Sequence, residues 1–287
     1  MTDSVAGLVR ARFETLTRAE RRLANSLLES YPLSGLASIT GVAEAAGVSA
    51  ATVARLVQKL GFKGFPEFQA RLRRELEASI SNPIAKRDRW ADAAPDTHIL
   101  NRFADAALKN LERSLTQLDP KAFDGAVSLL ADGKRHLFIV GGRITKALAD
   151  YLFTHMQVIR PGVTLVSPET NAWPQYVLNM TAGDVLVMFD VRRYERDLER
   201  LAEVAKAQRL QILVFTDQWQ SPAAKHALHC FPMRIEAPSA WDSNLATLLL
   251  VEALIAAVQE RTWKSSQARI KTLEDLFDKT RLFRKFV

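Results

Sequence analysis

Two stretches of the chain concentrate side chains that could bind or react. The first is Ser49-Ala50-Ala51-Thr52-Val53-Ala54-Arg55-Leu56-Val57-Gln58-Lys59-Leu60. Val53, Leu56, Val57 and Leu60 recur at the i, i+3, i+4, i+7 spacing of a buried helical face. That leaves Ala50, Thr52, Arg55 and Lys59 on the opposite face, which is small, hydroxylic and cationic. Such a face suits the major groove of DNA, where a few side chains read base edges and others hold phosphates. Ala50, Thr52 and Arg55 are placed to meet base edges; Ser49, Lys59 and Lys63 are placed for phosphates. The second stretch is Asp190-Val191-Arg192-Arg193-Tyr194-Glu195. Arginine offers a planar fork that grips carboxylate or phosphate with two parallel bonds. Arg192 and Arg193 could therefore hold an anion, or they could pair with Asp190, Glu195 or Asp197, or lie in solvent. A third, weaker candidate is Gly141-Gly142-Arg143-Ile144-Thr145. Two glycines let backbone amides approach a ligand at a helix start, where the helix dipole favours negative charge. Many strand-to-helix turns need glycine for their own geometry, so this pattern also fits a turn with no ligand.

The elements needed to position these residues can be read from the same pattern. Ser49 is a natural N-cap for the helix that follows it. Gly47 supplies the left-handed conformation of a sharp turn, and before it Val42, Ala45 and Ala46 face one way on a shorter helix. Together, Ile39–Leu60 read as a helix-turn-helix. Upstream, Thr17-Arg18-Ala19-Glu20 is a capping box that opens a helix running to Leu28. Downstream, Pro66 starts a helix with Phe68, Leu72 and Leu76 inward. Residues 1–80 thus form a helical bundle. Residues 81–101 are polar, contain Pro83 and Pro95, and read as a linker. Residues 102–287 begin with helices over Phe103–Leu118 and Lys121–Ala131. From His136 onward, short apolar runs at His136–Val140, Val163–Val166, Val185–Phe189, Ile212–Phe215 and Cys230–Ile235 alternate with helical stretches. This alternation predicts a five-stranded parallel sheet covered on both faces, a three-layer α/β unit. Its ligand crevice lies beyond the carboxyl ends of the strands, at Gly141–Thr145, Asp190–Glu195 and Thr216–Ser221. Two helices, Trp241–Glu260 and Gln267–Leu282, close the chain.

Composition narrows the function classes. The chain has 287 residues, with 48% hydrophobic and 25% charged residues, which is ordinary for a globular protein. The net charge is +7, and residues 1–90 hold 14 Lys and Arg against 9 Asp and Glu, so most of the excess sits with the DNA-reading candidate. A basic face favours polyanions by releasing their counterions. No apolar run reaches membrane-spanning length and no signal-peptide core opens the chain, so a cytoplasmic protein with no membrane partner is expected. The single cysteine, Cys230, excludes a disulfide framework and a thiolate metal site. His136, His155, His226 and His229 lack metal-ligand spacing, and there is no G-x-S-x-G, Walker A or GxGxxG pattern. Glu169, Glu195 and Glu252 could each act as a base, but no pair stands out. Trp241 and Trp263 read as packing residues. No catalytic residue, metal or cofactor is expected.

Gly47-Val48-Ser49, Thr52-Val53-Ala54-Arg55-Leu56, Lys59-Leu60-Gly61-Phe62-Lys63-Gly64-Phe65 and Glu67-Phe68, followed by a linker and the five-stranded unit, closely resemble the RpiR/MurR family of bacterial transcription regulators. The resemblance spans nearly the whole chain. It implies an N-terminal helix-turn-helix and a C-terminal sugar isomerase (SIS) domain that senses a phosphosugar. It also implies a regulator of carbohydrate or related carbon metabolism. The chain departs from the family's SIS motifs. Where G-x-G-x-S is usual, Arg143 stands at the second glycine and Thr145 at the serine. Where S-x-S-G-x-T is usual, Asp190 and Arg192 stand at the serines, Arg193 at the glycine and Glu195 at the threonine. The expected partners are a double-stranded operator, a second or further copy of the chain (homodimer or homotetramer), and a small anionic effector, either a sugar phosphate or a carboxylate. Gly141, Gly142, Arg143, Thr145, Asp190, Arg192 and Arg193 would hold the effector. Two other readings remain: a sugar-phosphate isomerase with an accessory helical domain, and a regulator whose SIS-like domain only dimerises.

Overall fold

The structure is a computed structural model that describes residues 4–29, 31–80, 84, 86 and 98–283. The N-terminal helices are α1 (Val5–Arg12), α2 (Arg18–Glu29), α3 (Ile39–Ala45), α4 (Ala50–Lys59) and α5 (Phe65–Ile80). Val9, Leu23, Leu27, Val42, Val53, Leu56, Val57, Phe68 and Leu72 are buried together between them. The capping box at the start of α2 is formed: the Glu20 carboxylate accepts from the Thr17 amide at 2.9 Å, and the Thr17 hydroxyl faces the Glu20 amide at 3.4 Å. Ala43, rather than Ala45, is the second buried residue of α3 after Val42.

The expected linker lies largely outside the described residues. Two of its members are described, Ile84 and Lys86, and both are helical; Lys86 is buried. The next helix, α6 (Ile99–Gln117), starts inside the stretch assigned to the linker. It is followed by α7 (Pro120–Ala131), which begins on Asp119 as N-cap and Pro120 in the first turn.

Five strands follow: β1 (Leu137–Gly141), β2 (Val163–Leu165), β3 (Val185–Phe189), β4 (Gln211–Asp217) and β5 (His229–Met233). They form one fully parallel sheet in the order β2-β1-β3-β4-β5. Successive residues of each strand serve opposite faces. Leu137, Ile139, Val187, Phe189, Leu213 and Phe215 pack on α7, α8 (Lys146–Ile159) and α11 (Leu245–Thr280). Phe138, Val140, Leu186, Met188, Ile212 and Val214 pack on α9 (Trp173–Leu178) and α10 (Arg196–Ala207). Because both faces are covered, the central strands β1 and β3 are continuously apolar.

The C-terminal stretch differs from the expectation of two helices. It is one helix of 36 residues, α11. The polar interval Arg261–Ser266 contains neither Pro nor Gly, and its hydroxyls are satisfied within the helix: Thr262 Oγ1 donates to the Val258 carbonyl at 2.8 Å and Ser265 Oγ to the Thr262 carbonyl at 2.9 Å. The start moves from Trp241 to Leu245, since residues 239–244 form a loop over the ends of the strands. No helix among the described residues is long and apolar enough to cross a membrane.

Candidate functional site

The helix-turn-helix is built from local rules. Val48 donates to the Ala43 carbonyl at 2.9 Å across Gly47, whose φ is +60°. Ser49 Oγ then accepts from the Thr52 amide at 3.2 Å and caps α4. Val53, Leu56 and Val57 are buried, and this anchors α4 with its other face outward. Ala51, Arg55, Gln58 and Lys59 are exposed on that face, Ser49 is exposed before it, and Ala50 is half-buried. Thr52 corrects the expected outward face: it is buried, with its hydroxyl 3.0 Å from Ser49 Oγ, so it serves the cap. The reason is angular, since Thr52 precedes Val53 and lies on the flank of α4 turned toward the cap. Lys59 is exposed yet not free. Its ammonium sits 2.8 Å from Glu20 on α2. Burial pushes the Glu20 carboxyl up, but the Lys59 ammonium and the Thr17 amide and hydroxyl outweigh it and hold the group below the usual carboxylate range. Lys63 lies just past α4, its amide donating to Glu67 at 2.6 Å.

At the carboxyl end of the sheet, the first two strand-end turns face a cavity of about 190 Å³, closed on a third side by the loop before α11. It is lined by Gly142, Arg143, Thr145, Asp190, Arg192, Arg193 and Glu195, and also by Lys86, Trp241, Asp242 and Asn244. Gly141 has no room for a side chain, because a Cβ there would come within 2.7 Å of the Lys146 backbone. At Gly142 a Cβ would come within 2.9 Å of Glu195 Oε1. Thr145 is buried and donates to the Phe189 carbonyl at 2.6 Å, locking the β1–α8 turn to β3.

The charged loop after β3 is internally organised. Glu195 accepts from the Arg143 amide at 2.6 Å, so a carboxylate already occupies an amide of the β1–α8 turn. Asp190 is buried, accepts from Ser221 Oγ, and is 3.4 Å from the Glu195 amide. Burial is the main cause that pushes its carboxyl up to about 7, with Asp217 and Glu195 adding to the rise and the two donors opposing it. Asp217 is fully buried at the end of β4. It accepts from the Arg192 amide at 2.7 Å, Tyr194 Oη at 2.7 Å and the Trp219 amide at 2.9 Å. These bonds hold Arg192 and Arg193 in left-handed backbone, φ +35° and +58°, a conformation that non-glycine residues adopt at a cost of about 1–3 kcal/mol each.

The two arginines have different fates. The Arg192 guanidinium lies 4.4 Å from the centroid of the Trp219 ring, and its Nε is 2.8 Å from Asp242 Oδ2. Among the described residues, its ion pair is with Asp242 and not with Asp190, Glu195 or Asp197. Arg193 is exposed at the rim, as is Arg143. Lys86 completes the group: its Nζ donates to the Trp241 carbonyl at 2.7 Å and to Asp242 Oδ1. Burial pushes its ammonium below the usual lysine range, and Asp242 opposes this. Trp241 corrects a sequence expectation, because it is 57% exposed beside the cavity rather than packed in a core. Sequence reading missed Lys86, Trp241, Asp242 and Asn244. Each lies far along the chain from the ends of β1 and β3, and no local pattern marks any of them.

Residues 4–79 match the helix-turn-helix domain of the rpiR family, and residues 129–257 match the SIS domain. Among curated relatives, the HTH-type transcriptional regulator HexR of Pseudomonas aeruginosa is 25% identical over 286 residues, covering 95% of each chain. Among solved structures, the sugar isomerase domain of an RpiR transcription factor from Sphaerobacter thermophilus superposes with a TM-score of 0.57 at 21% identity, covering 61% of this chain and 97% of that one. The Vibrio vulnificus NanR protein, solved in complex with ManNAc-6P, superposes with a TM-score of 0.55 at 18% identity, over 98% of this chain and 100% of that one.

Proposed function

This chain belongs to the rpiR family of helix-turn-helix transcription regulators that carry a SIS domain, and on that premise we propose how it reads DNA and what governs the reading. The observation that carries the proposal is α4, an exposed Arg55 face standing on a fully buried Val53–Leu56–Val57 stripe. We assign base contacts to Arg55 and Ala50. Ser49 and Lys63 are assigned to phosphates, with Lys59 reaching one only by leaving Glu20. Thr52 supports the reading indirectly, by fixing the cap that presents Ser49. A homodimer or homotetramer acting in the cytoplasm presents two readers to a palindrome-like operator. The test is selection of genomic duplex fragments by the purified chain. A shared two-fold motif that the Arg55→Ala variant no longer enriches is the expected result, and enrichment without any motif overturns it.

The cavity is the proposed effector site. Arg143 and Arg193 at its rim and Lys86 within it favour a small anion, as does the ManNAc-6P carried by NanR. Gly141 and Gly142 admit the backbone of the turn, while Thr145 and Asp190 shape the floor and Arg192 acts through Asp242. The effector regulates by binding DNA-competent and incompetent arrangements unequally, in the service of carbohydrate or related carbon metabolism. The protein is proposed not to be an enzyme, as its named relatives are regulators. One observation favours an isomerase instead: Asp190, poised near neutral pH, is adjacent to Glu195 in a cavity. Its hydrogen bond to Ser221 explains Asp190 structurally. Absence of turnover of sugar phosphates by the purified chain is expected; measurable isomerisation would reverse the assignment.

A further inference from the structure

The strand-end turns direct their donors at the chain's own acceptors. The Arg143 amide in the β1–α8 turn donates to Glu195 Oε1 at 2.6 Å. The Arg192 amide in the β3–α10 loop donates to Asp217 at 2.7 Å, and the Glu195 amide faces Asp190 at 3.4 Å. Two nearby hydroxyls are used in the same way: Thr145 Oγ1 donates to the Phe189 carbonyl and Ser221 Oγ to Asp190. A glycine-rich turn from strand to helix ordinarily offers its amides to a bound anion. Here a carboxylate of the chain is already in that place. It is closely packed, since a Cβ on Gly142 would come within 2.9 Å of Glu195 Oε1. Asp190 and Glu195 thus border the cavity, while Arg143 and Arg193 stand exposed at its rim. Ile144 and Trp241, 50% and 57% exposed, add apolar surface beside them.

We propose that Glu195 is a specificity-determining residue: its carboxylate fills the place of a ligand's acidic group at the β1–α8 turn, and so selects a hydroxylated monocarboxylate, a sugar acid, over a sugar phosphate. The proposal rests on the reading of the cavity as an anion site. A phosphate monoester carries about −1.5 to −2 charges at pH 7 and three oxygens that accept hydrogen bonds. At the turn it meets the like charge of Glu195, and the Arg143 amide that would receive it is engaged. A carboxylate brings one charge and two oxygens, and a single arginine fork satisfies both. Arg143 or Arg193 supplies that fork at the rim. The acid end of the ligand therefore lies outward, with its carbon chain along Ile144 and Trp241.

The test is calorimetry on the full chain at constant pH and ionic strength. The probes are gluconate and sorbitol 6-phosphate, which share a carbon chain and differ in the acidic group, with sorbitol as the neutral control. The natural chain is expected to bind gluconate at least tenfold more tightly than sorbitol 6-phosphate. Glu195→Ala, which empties the turn, should tighten sorbitol 6-phosphate at least tenfold and gluconate less than threefold. Glu195→Gln keeps an acceptor for the Arg143 amide and removes only the charge, so the phosphate should gain less; it also serves as the second variant if alanine disturbs the loop. Arg143→Gln combined with Arg193→Gln should weaken gluconate at least tenfold. A natural chain that does not prefer gluconate overturns the proposal. So does a phosphate affinity that is unchanged or lower in both Glu195 variants, the result a purely structural Glu195 gives, and so does gluconate binding that survives loss of both arginines. Sorbitol binding as tightly as gluconate, or neither acid binding any of the four proteins, overturns the anion-site reading itself.

Discussion

At the scale of single residues, the site shows how burial redirects groups whose types are obvious in the sequence. Arg55 is exposed and no hydrogen bond ties it more closely than a 3.4 Å contact with Thr52. Its removal should therefore act on DNA and hardly on folding. Arg55→Ala is expected to cost about 1–3 kcal/mol of operator affinity and to relax preference at one base pair, whereas Lys63→Ala should weaken all sequences alike and reduce the salt slope by about 1. Gel-shift titrations at several salt concentrations separate the two. Asp190 makes a different kind of statement. In the fold it keeps its proton up to about pH 7, while its ordinary value is 3.8. Between these values the folded chain holds a proton that the unfolded chain has released. The group therefore stabilises the fold least at high pH, losing its contribution as pH rises from about 4 to about 7 and changing little beyond. Asp190→Asn removes this dependence while keeping an acceptor for Ser221. Its melting temperature relative to the natural chain should rise across that window and then level off, and a parallel pair of pH curves would refute the assignment.

At the scale of elements, the link between α2 and α4 has two jobs. Glu20 closes the capping box of α2 and also receives Lys59 from α4. The contact is between a nearly buried carboxylate and a half-exposed ammonium, so solvent screens part of it. Replacing Glu20 by Ala should destabilise the helical unit by about 1 kcal/mol, mainly through the lost cap. Since its carboxyl is held below the ordinary range, the contribution is present above pH 4.5 and fades as pH falls through the lowered value. The same variant frees Lys59, so operator affinity should rise or hold even as the melting temperature drops. A joint fall in both would mean that the bridge positions α4 rather than restrains Lys59. In contrast, Leu56→Ala, at a residue with no exposed surface, should cost about 2–5 kcal/mol and abolish binding through unfolding. Circular dichroism melts distinguish these cases.

At the scale of the whole molecule, what the sequence disclosed follows the range of the interactions that matter. Helix α4, its cap and the strands β1 to β5 depend on residues within one or two turns of each other, and periodicity finds them. Thr52 was misplaced because a cap decided its orientation. Arg192 and Lys86 were beyond reach because Asp242, their common partner, is 50 and 156 residues away and becomes a neighbour only after the sheet has formed. Assembly is the remaining long-range property. The apolar residues Leu250, Val251, Leu254 and Val258 of α11, candidates for a dimer surface by composition, are spent in the core of the sheet unit. Exposed apolar surface remains on α6, where Leu100, Leu108 and Leu115 are 67%, 63% and 49% exposed. At 3.6 residues per turn they fall within an arc of roughly 80°. The other flank of α6 is fixed to the sheet unit, by Asn110 Nδ2 donating to the Glu236 carbonyl at 2.8 Å and by Ser114 accepting from the Arg234 amide at 2.9 Å. A rigid helix with one apolar stripe outward is a surface that self-association would cover. Leu108→Glu together with Leu115→Glu should therefore shift the protein toward monomer in sedimentation experiments, with its melting temperature nearly unchanged. Operator affinity should fall far more than half-site affinity, since two readers no longer act as one. If sedimentation is unchanged, α6 is not the interface and copies must meet through another face, the exposed Trp263 and Leu276 of α11 being the next to test.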